Sequence, residues 1–182
     1  MPAPIVIRRD APADWDRLRA IHDRARVDEL RGSVDPAAFL SLEDTYEGEG
    51  LFDGEVWVAE TQVEAQAESQ AGIQADAAAG PDPEVVGFVA LADDEVTWLC
   101  VDPERTRWGI GRALLRHALG RCDADAEVEV TVLSGNAPAV ALYLSVGFAI
   151  VETRAGKLSG NEAFPATGHI MRRAAAAAEP VQ

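Results

Sequence analysis

The sequence predicts an α/β (α+β) domain of three layers, with a mixed, twisted sheet of about seven strands flanked by helices. Three observations point there. Valine-rich runs of strand length recur along the chain, such as Val85-Val86-Gly87-Phe88-Val89-Ala90-Leu91 and the alternating Val128, Val130 and Val132. Segments with apolar residues at helical spacing lie between them. The resulting order, βααβββαβαββ, mixes hairpin connections with helix-linked ones, and such a sheet needs cover on both faces.

Taken in order, Ile5 to Arg9 reads as a first strand. Asp10 or Asp14 is placed to cap a helix reaching about Leu30, whose apolar positions are Trp15, Leu18, Ile21, His22 and Ala25. Gly32-Ser33 ends it, and Asp35-Pro36 predicts a second helix with Phe39, Leu40 and Leu42 inward. Tyr46 to Gly54 is an acidic, glycine-marked loop, and Val56 to Ala59 is a strand. From residue 61 to 84 large apolar residues almost vanish. Such a segment cannot offset its ordering entropy by burial, so it reads as a mobile connection between two strands. Val85 to Leu91 follows, with Gly87 marking a bulge. Asp93-Asp94 turns the chain into the strand Glu95 to Val101, and Arg112 to Cys122 forms a helix. The strand around Val130 comes next, then a helix capped by Asn136. Phe148 to Thr153 and His169 to Arg173 make a closing hairpin, joined by a Gly-rich loop from Gly156 to Gly168. Residues 1–173 thus form one domain, and 174–182 a flexible tail.

Composition sets the bounds. With 182 residues and 48% apolar content, the chain suits one well-cored globular domain. No apolar run is long enough to cross a bilayer and no signal pattern opens the chain, which predicts a cytoplasmic protein without a membrane partner. A net charge of −15 disfavours nucleic acid, whose phosphates select basic faces, and suits a cationic substrate. Cys100 and Cys122 form no disulfide framework and no metal-ligand spacing, so no metal is expected. His22, His117 and His169 are scattered and read as surface or packing residues.

The segment from Val101 to Leu115 carries the most chemistry. An apolar strand runs into Asp102-Pro103-Glu104-Arg105-Thr106-Arg107-Trp108-Gly109-Ile110-Gly111-Arg112, then an amphipathic helix. Glycines at such a junction let the backbone approach a ligand, and the new helix presents unpaired N–H groups to an anion. Arg105, Arg107 and Arg112 add positive charge, so the expected guest is a phosphate or pyrophosphate. Leu114 stands where a dinucleotide fingerprint needs its third glycine. The single lysine, Lys157, is nowhere near a P-loop position.

Downstream, Asn136-Ala137-Pro138-Ala139-Val140-Ala141-Leu142-Tyr143 leads to Val146-Gly147-Phe148. Together the two segments resemble the GNAT family of Gcn5-related, acetyl-CoA-dependent N-acetyltransferases. That family's first motif is strand, (Gln/Arg)-x-x-Gly-x-(Gly/Ala), helix; its second is Asn-x-x-Ala-x-x-Leu-Tyr followed by Gly-Phe. The resemblance is tight over about residues 85 to 173. Thr106 departs from it, standing where the family carries Gln or Arg, with Arg105 and Arg107 on either side.

The resemblance implies a GNAT-type sandwich with acetyl-CoA as co-substrate. Arg107, Trp108, Gly109, Ile110, Gly111 and Arg112, with Thr106, would cradle the pyrophosphate, and Leu99 and Val101 would pair with the pantetheine arm. Asn136 would bond that arm, cap its helix, or do both. Tyr143 stands at the family's general-acid position, the alternative being a core tyrosine. Glu95 stands where one branch of the family has its base, and by strand alternation it shares a face with Thr97, Leu99 and Val101. The alternative is an exposed turn carboxylate, with Glu129 and Thr131 or a water relay in its place. The acceptor would be a small-molecule or peptide amine, drawn by acids such as Asp28, Glu29, Glu43, Asp44 and Glu47. A homodimer through the late strands, as in many relatives, is one arrangement open to the chain. An acyl-CoA-binding sensor of the same fold is the alternative to an enzyme.

Overall fold

In the computed structural model, which describes residues 4–62 and 83–174, the strands are β1 (Ile5–Arg9), β2 (Glu55–Gln62), β3 (Pro83–Ala92), β4 (Glu95–Val101), β5 (Val128–Leu133), β6 (Ala149–Leu158) and β7 (Asn161–Arg173). The helices are α1 (Trp15–Leu30), α2 (Leu42–Thr45), α3 (Ile110–Leu119) and α4 (Ala137–Ser145). The strands form one sheet in the order β1-β2-β3-β4-β5-β7-β6. Every neighbouring pair is antiparallel except β4 and β5, which are parallel.

The two faces have separate cores. On one, α1 and α2 bring Leu18, Ile21 and Leu42 onto Val56, Val58, Phe88 and Ala90. On the other, Ile110, Leu114, Leu115 and Ala118 form the buried stripe of α3, and Tyr143 and Phe148 join them over Val89, Val96, Val130 and Met171. The stripe's i, i+4, i+5, i+8 spacing keeps one helix face on the sheet. A third, smaller cluster of Leu30, Ala38 and Leu158 packs the end of α1 against the β6–β7 hairpin.

Four expectations change. The helix after Asp35-Pro36 is a 3₁₀ turn at Pro36–Ala38 followed by the four residues of α2, because Asp35 and Ser41 each cap a new turn and Phe39 between them is extended. Asp14 occupies the N-cap position of α1 without capping it. Its carboxylate instead accepts the Ala11 N–H at 2.8 Å and the Arg8 guanidinium at 2.7 and 2.8 Å, and that guanidinium holds the Asp14 carboxyl below its ordinary range. α3 runs Ile110–Leu119, ending before Cys122. The Gly-rich loop of the final hairpin is strand. Gly156 pairs with Ala166 and Gly168 with Arg154, so ladder pairing overrides weak propensity and only Ser159-Gly160 turns the chain. The segment expected to be mobile lies mostly outside the described residues, but its ends belong to β2 and β3 and pair there. The expected tail lies outside them too, apart from Ala174.

Gly87 sits beside an irregularity in the β2–β3 register, where Ala59 pairs with Gly87 and Glu60 with Val85. A Cβ there would stand 2.8 Å from the Cys100 carbonyl oxygen and 3.1 Å from Leu114 Cδ1. The missing side chain is what lets α3 lie close on β3 and β4. Gly87→Ala is expected to lower stability by about 1–3 kcal/mol, the usual cost of overpacking, read as a shifted urea midpoint with unchanged slope.

Candidate active site

Parallel strands β4 and β5 meet at one residue pair, Glu95 with Glu129, supported by the Glu129 N–H on the Asp94 carbonyl at 2.9 Å. Beyond it they part. β4 remains held by β3 and β5 by β7, so the gap opens without loss of either strand. The resulting cleft has a volume of about 1160 Å³ and is walled by Thr97 to Val101 on one side and Val130 to Leu133 on the other. Glu95, Leu99, Val101, Thr106, Asn136 and Tyr143, all singled out from sequence, line it. Backbone groups of β4 on the side facing β5 have no strand partner here, so they suit a ligand with amides of its own.

At the far end of β4 the chain enters the loop before α3. Asp102 closes a short 3₁₀ turn over Pro103–Arg105, and Thr106 Oγ1 donates to the Pro103 carbonyl at 3.2 Å. Arg107 and Gly109 then take positive φ, +66° and +83°, which turns the backbone sharply into Ile110. None of the N–H groups from Thr106 to Arg112 bonds another described residue; the first helical bond is Ala113 to Gly109. A run of unpaired donors at a helix start is an anion cradle. Arg107 and Arg112 form no ion pair among the described residues, and Arg112 reaches Ser145 Oγ at 3.2 Å. Arg105 is committed elsewhere, lying over the Trp108 ring at 5.1 Å and 3.7 Å from Glu84. Ile110 is buried, so it offers only its backbone. Arg107 to Arg112 lie beyond the cleft walls proper, at the end marked by Thr106.

Tyr143 is only 5% exposed and packs edge-on against Phe148 at 5.6 Å, yet it lines the cleft and its hydroxyl bonds no described residue. Burial raises its pKa well above the ordinary 10, with Cys100 and Glu29 adding to the effect. A phenol so placed stays protonated. Gly147, at φ +97°, makes the turn that brings Phe148 under the ring. Asn136 caps α4 through its side-chain oxygen, which accepts the Ala139 N–H at 3.3 Å, and it lines the cleft as well.

Glu95 stands on the cleft floor, where the strands begin to part. Loss of bulk water to the surrounding walls, then the charge of Glu129, raises its pKa above the ordinary carboxylate value. The shared face predicted for it is wrong. Leu91 pairs with Val96 and Ala90 with Trp98, so Thr97 is an extra residue in β4. Such a bulge inverts the side-chain phase. Val96, Leu99 and Val101 face the α3 side, whereas Trp98 and Cys100 face α1. Glu95, next to Val96 and opposite Ala92, belongs to the α1 side.

Asp102 was not foreseen. It is 1% exposed and accepts Arg17 at 2.6 Å, Arg24 at 2.9 Å and the Glu104 N–H at 3.1 Å. Arg17 also donates to the Val85 carbonyl at 2.7 Å. The Asp-Pro step marks a turn in the sequence, but nothing local points to arginines about eighty residues upstream. Of the acids expected to draw an amine, Asp28 and Glu29 line the cleft, paired with Arg31 and Arg26. Glu43 pairs with Arg19, Asp44 accepts from Ser41 and Glu47 from Tyr46, so these three are spent outside it. Among the described residues no cluster of His, Cys, Asp and Glu could hold a metal, and no helix is long and apolar enough to cross a membrane.

This architecture and these motifs match known proteins. The acetyltransferase (GNAT) domain family matches residues 42–160. The chain belongs to the GNAT acetyltransferase family. YjaB from Escherichia coli, solved in its apo form, is 25% identical over 95% of this chain and 99% of its own, with a TM-score of 0.58. yncA from Salmonella typhimurium, solved with its cofactor acetyl-CoA, superposes over 99% of both chains with a TM-score of 0.56 at 18% identity. Arabidopsis thaliana NAA60, in complex with a bisubstrate analogue, covers 94% of this chain and 99% of its own, with a TM-score of 0.60 at 17% identity. A curated relative, UPF0157 protein YqkA of Bacillus subtilis, is 42% identical over 55 residues, which is 30% of this chain and only 16% of that protein.

Two stability changes follow from the loop. Asp102→Ala leaves two guanidiniums without their shared acceptor and is expected to cost about 1.5–3 kcal/mol, measured by urea unfolding. Arg107→Gly removes a side chain from a left-handed backbone and is expected to keep or raise stability, by about 1 kcal/mol, seen as an unchanged or higher thermal midpoint.

Proposed function

We propose that the chain transfers the acetyl group of acetyl-CoA to a primary amine of a small molecule or peptide, by direct attack within a ternary complex. The observation that carries this reading is the parted pair of strands, with unpaired donors from Thr106 to Arg112 at one end and the hydroxyl of Tyr143 within. Acetyl-CoA supplies an activated thioester. The donors of Thr106–Arg112, aided by Arg107 and Arg112, hold its pyrophosphate. The open edge of β4 at Leu99 and Val101, with Asn136, aligns the pantetheine amides.

A lysine-like ammonium has a pKa of about 10.4 and must lose a proton before its lone pair can attack. Glu95, with its raised pKa, is a base for that nitrogen. The nitrogen bonds the acetyl carbon and gives up a second proton as the C–S bond breaks. Tyr143 gives its proton to the departing sulfur and regains one from the nitrogen, so one net proton leaves the site. The raised pKa of Tyr143 keeps that proton in place through the alkaline range.

Acetyl-CoA with a panel of diamines, arylalkylamines and short peptides, followed by thiol release, tests the reading. Tyr143→Phe is expected to lower kcat by roughly 100-fold or more, the range of lost acid catalysis, with acetyl-CoA affinity within about twofold and the fold intact. An unfolded variant would leave Tyr143 a core residue. Because Glu95 acts as a carboxylate, kcat should fall as pH drops through a midpoint above the ordinary 4.5, and Glu95→Gln should remove that limb. Stabilisation by acetyl-CoA without thiol release from any amine would mark a sensor instead.

A further inference from the structure

His22 is a histidine on α1 that the mechanism above leaves unused. It is 4% exposed, and its Nδ1 lies 2.9 Å from Asp23 Oδ1. That carboxylate oxygen also accepts the Leu42 N–H at 2.8 Å, which anchors it between α1 and α2. An ionised carboxylate against Nδ1 selects the tautomer with hydrogen there, which turns Nε2 into an acceptor. Nε2 bonds no described residue and is not sealed off, since it is absent from the unpaired polar atoms that the fold buries completely. The ring leans on Trp98 at 5.5 Å, on the α1 side of β4, which is the side Glu95 belongs to.

The space beside His22 has a distinct form. A chamber of about 30 Å³ is lined by His22, Arg26, Thr45, Glu49, Ser159 and Asn161, among others. It shares His22, Arg26, Glu49, Trp98 and Ser159 with the main cleft, so it is a side room off that cleft. Ser159 Oγ donates to Glu49 Oε1 at 2.7 Å, which ties the β6–β7 turn over it. Its volume and polar lining suit water, which needs at least about 10–15 Å³ and two to four polar partners.

Proton accounting gives this arrangement a task. An ammonium acceptor loses two N–H protons on becoming a secondary amide: one before attack and one as the C–N bond forms. The thiolate takes one proton from Tyr143, and a second proton must leave the site. One carboxylate cannot accept both in a single turnover without first releasing the first. We propose that His22, oriented by Asp23, is a second proton acceptor: its Nε2 takes the first proton from the incoming ammonium, directly or through one water, and the side chamber passes it to solvent. Glu95 then accepts the second, which replaces the proton that Tyr143 gave to sulfur, so both groups are reset and one net proton leaves through His22. This rests on the N-acetyltransferase reading and adds a residue to it.

The charged groups facing His22 are Asp23, Arg26 and Glu29 from α1 and Glu49 from the loop before β2; Trp98 of β4 and Ser159 and Asn161 of the hairpin add no charge. Burial, the largest influence, lowers the His22 pKa below its ordinary 6.5, against the opposing pull of Asp23. The imidazole is therefore neutral and able to accept at pH 7. Its contribution is present above its lowered pKa and lost as pH falls through it.

The test uses the full chain. His22→Asn keeps an amide donor near the place of Nδ1 but offers no acceptor at the place of Nε2. In that variant kcat at pH 7 with the best amine of the panel is expected to fall at least about tenfold, a modest share of general-base catalysis. KM for acetyl-CoA should stay within twofold. In Glu95→Gln the remaining acidic limb should have a midpoint below pH 6.5, and adding His22→Asn should abolish it. Asp23→Asn should lower kcat in the same direction by releasing the tautomer. Nitrogen-15 NMR of the wild-type imidazole should show hydrogen on Nδ1 and titration at Nε2. Hydrogen on Nε2, or a His22→Asn enzyme with undiminished kcat and an unchanged pH profile, would overturn the proposal. If His22→Asn unfolds, the NMR result and Asp23→Asn decide. If no amine releases thiol with the wild-type protein, the N-acetyltransferase reading fails on its own, and the NMR tautomer still judges His22.

Discussion

Parallel strands that touch at one residue pair and then separate are the constraint on which the rest of this molecule depends. Parallel pairing ordinarily runs the length of both strands, and breaking it leaves backbone donors and acceptors without partners. Here the break is tolerable because each strand has a full antiparallel neighbour, β3 for β4 and β7 for β5. The sheet is thus two halves joined at Glu95 and Glu129. What keeps the halves at a fixed separation is the core on the α3 side, where Val89, Val96 and Leu114 from one half meet Val130, Phe148 and Met171 from the other. Tyr143 belongs to that same core. Its placement in the cleft and its burial have one origin.

The charge distribution sharpens what the cleft is for. A chain of net charge −15 should leave few arginines unpaired, and most are indeed held in ion pairs. Among the described residues the exceptions are Arg107, Arg112, Arg116 and Arg173, and the first two belong to the loop whose N–H groups are also unpaired. Surface ion pairs contribute little stability each, so this is no statement about the fold. It is a statement about where positive charge remains available, at one end of a cleft in an acidic protein. Arg105 shows the contrast. Sequence alone ranks it with Arg107 as a flank of Thr106, but its guanidinium lies over Trp108 and near Glu84. Of the two flanks, Arg107 is the one whose charge is not already engaged.

Local rules were enough for much of the fold, and their failures have particular causes. The strand from Glu95 to Val101 and the cap at Asn136 were legible because each is decided within a few residues. The second helix was not, since Asp35 and Ser41 are both good caps and spacing alone does not say that the chain between them extends. The β6–β7 hairpin was not, since Gly156 and Gly168 argue for a loop until the ladder that holds them is known. Glu95 lines the cleft, but it is exposed and lies on the other face of β4 from the one alternation predicts. One extra residue at Thr97 reverses every side chain before it relative to those after it, and a bulge in a strand of ordinary residues leaves no mark in the sequence. The Asp102 cluster joins residues about eighty positions apart, and His22 looked like packing because its partner Asp23 is an adjacent residue with no motif around it.

Asp102 links the two ends of the reasoning. Its carboxylate lies at the end of β4, where the loop before α3 begins, and its two arginines project from α1, the helix that carries His22, Arg26 and Glu29 on the cleft wall. A buried carboxylate that loses its partners is costly, on the order of 3–5 kcal/mol. Sliding α1 along β4 would do just that, and would also break the Arg17 bond to the Val85 carbonyl. The wall that would meet the amine and the loop that would hold the pyrophosphate are therefore parts of one rigid corner. The opposite wall, from β5 through Asn136 to Tyr143, reaches that corner only through the α3-side core and the single pair at the cleft floor. A ligand lying along the gap would replace the pairing that β4 and β5 lack. On this geometry, a ligand in the gap would join the two halves of the sheet against a wall of α1 and β4 that Asp102 already holds together.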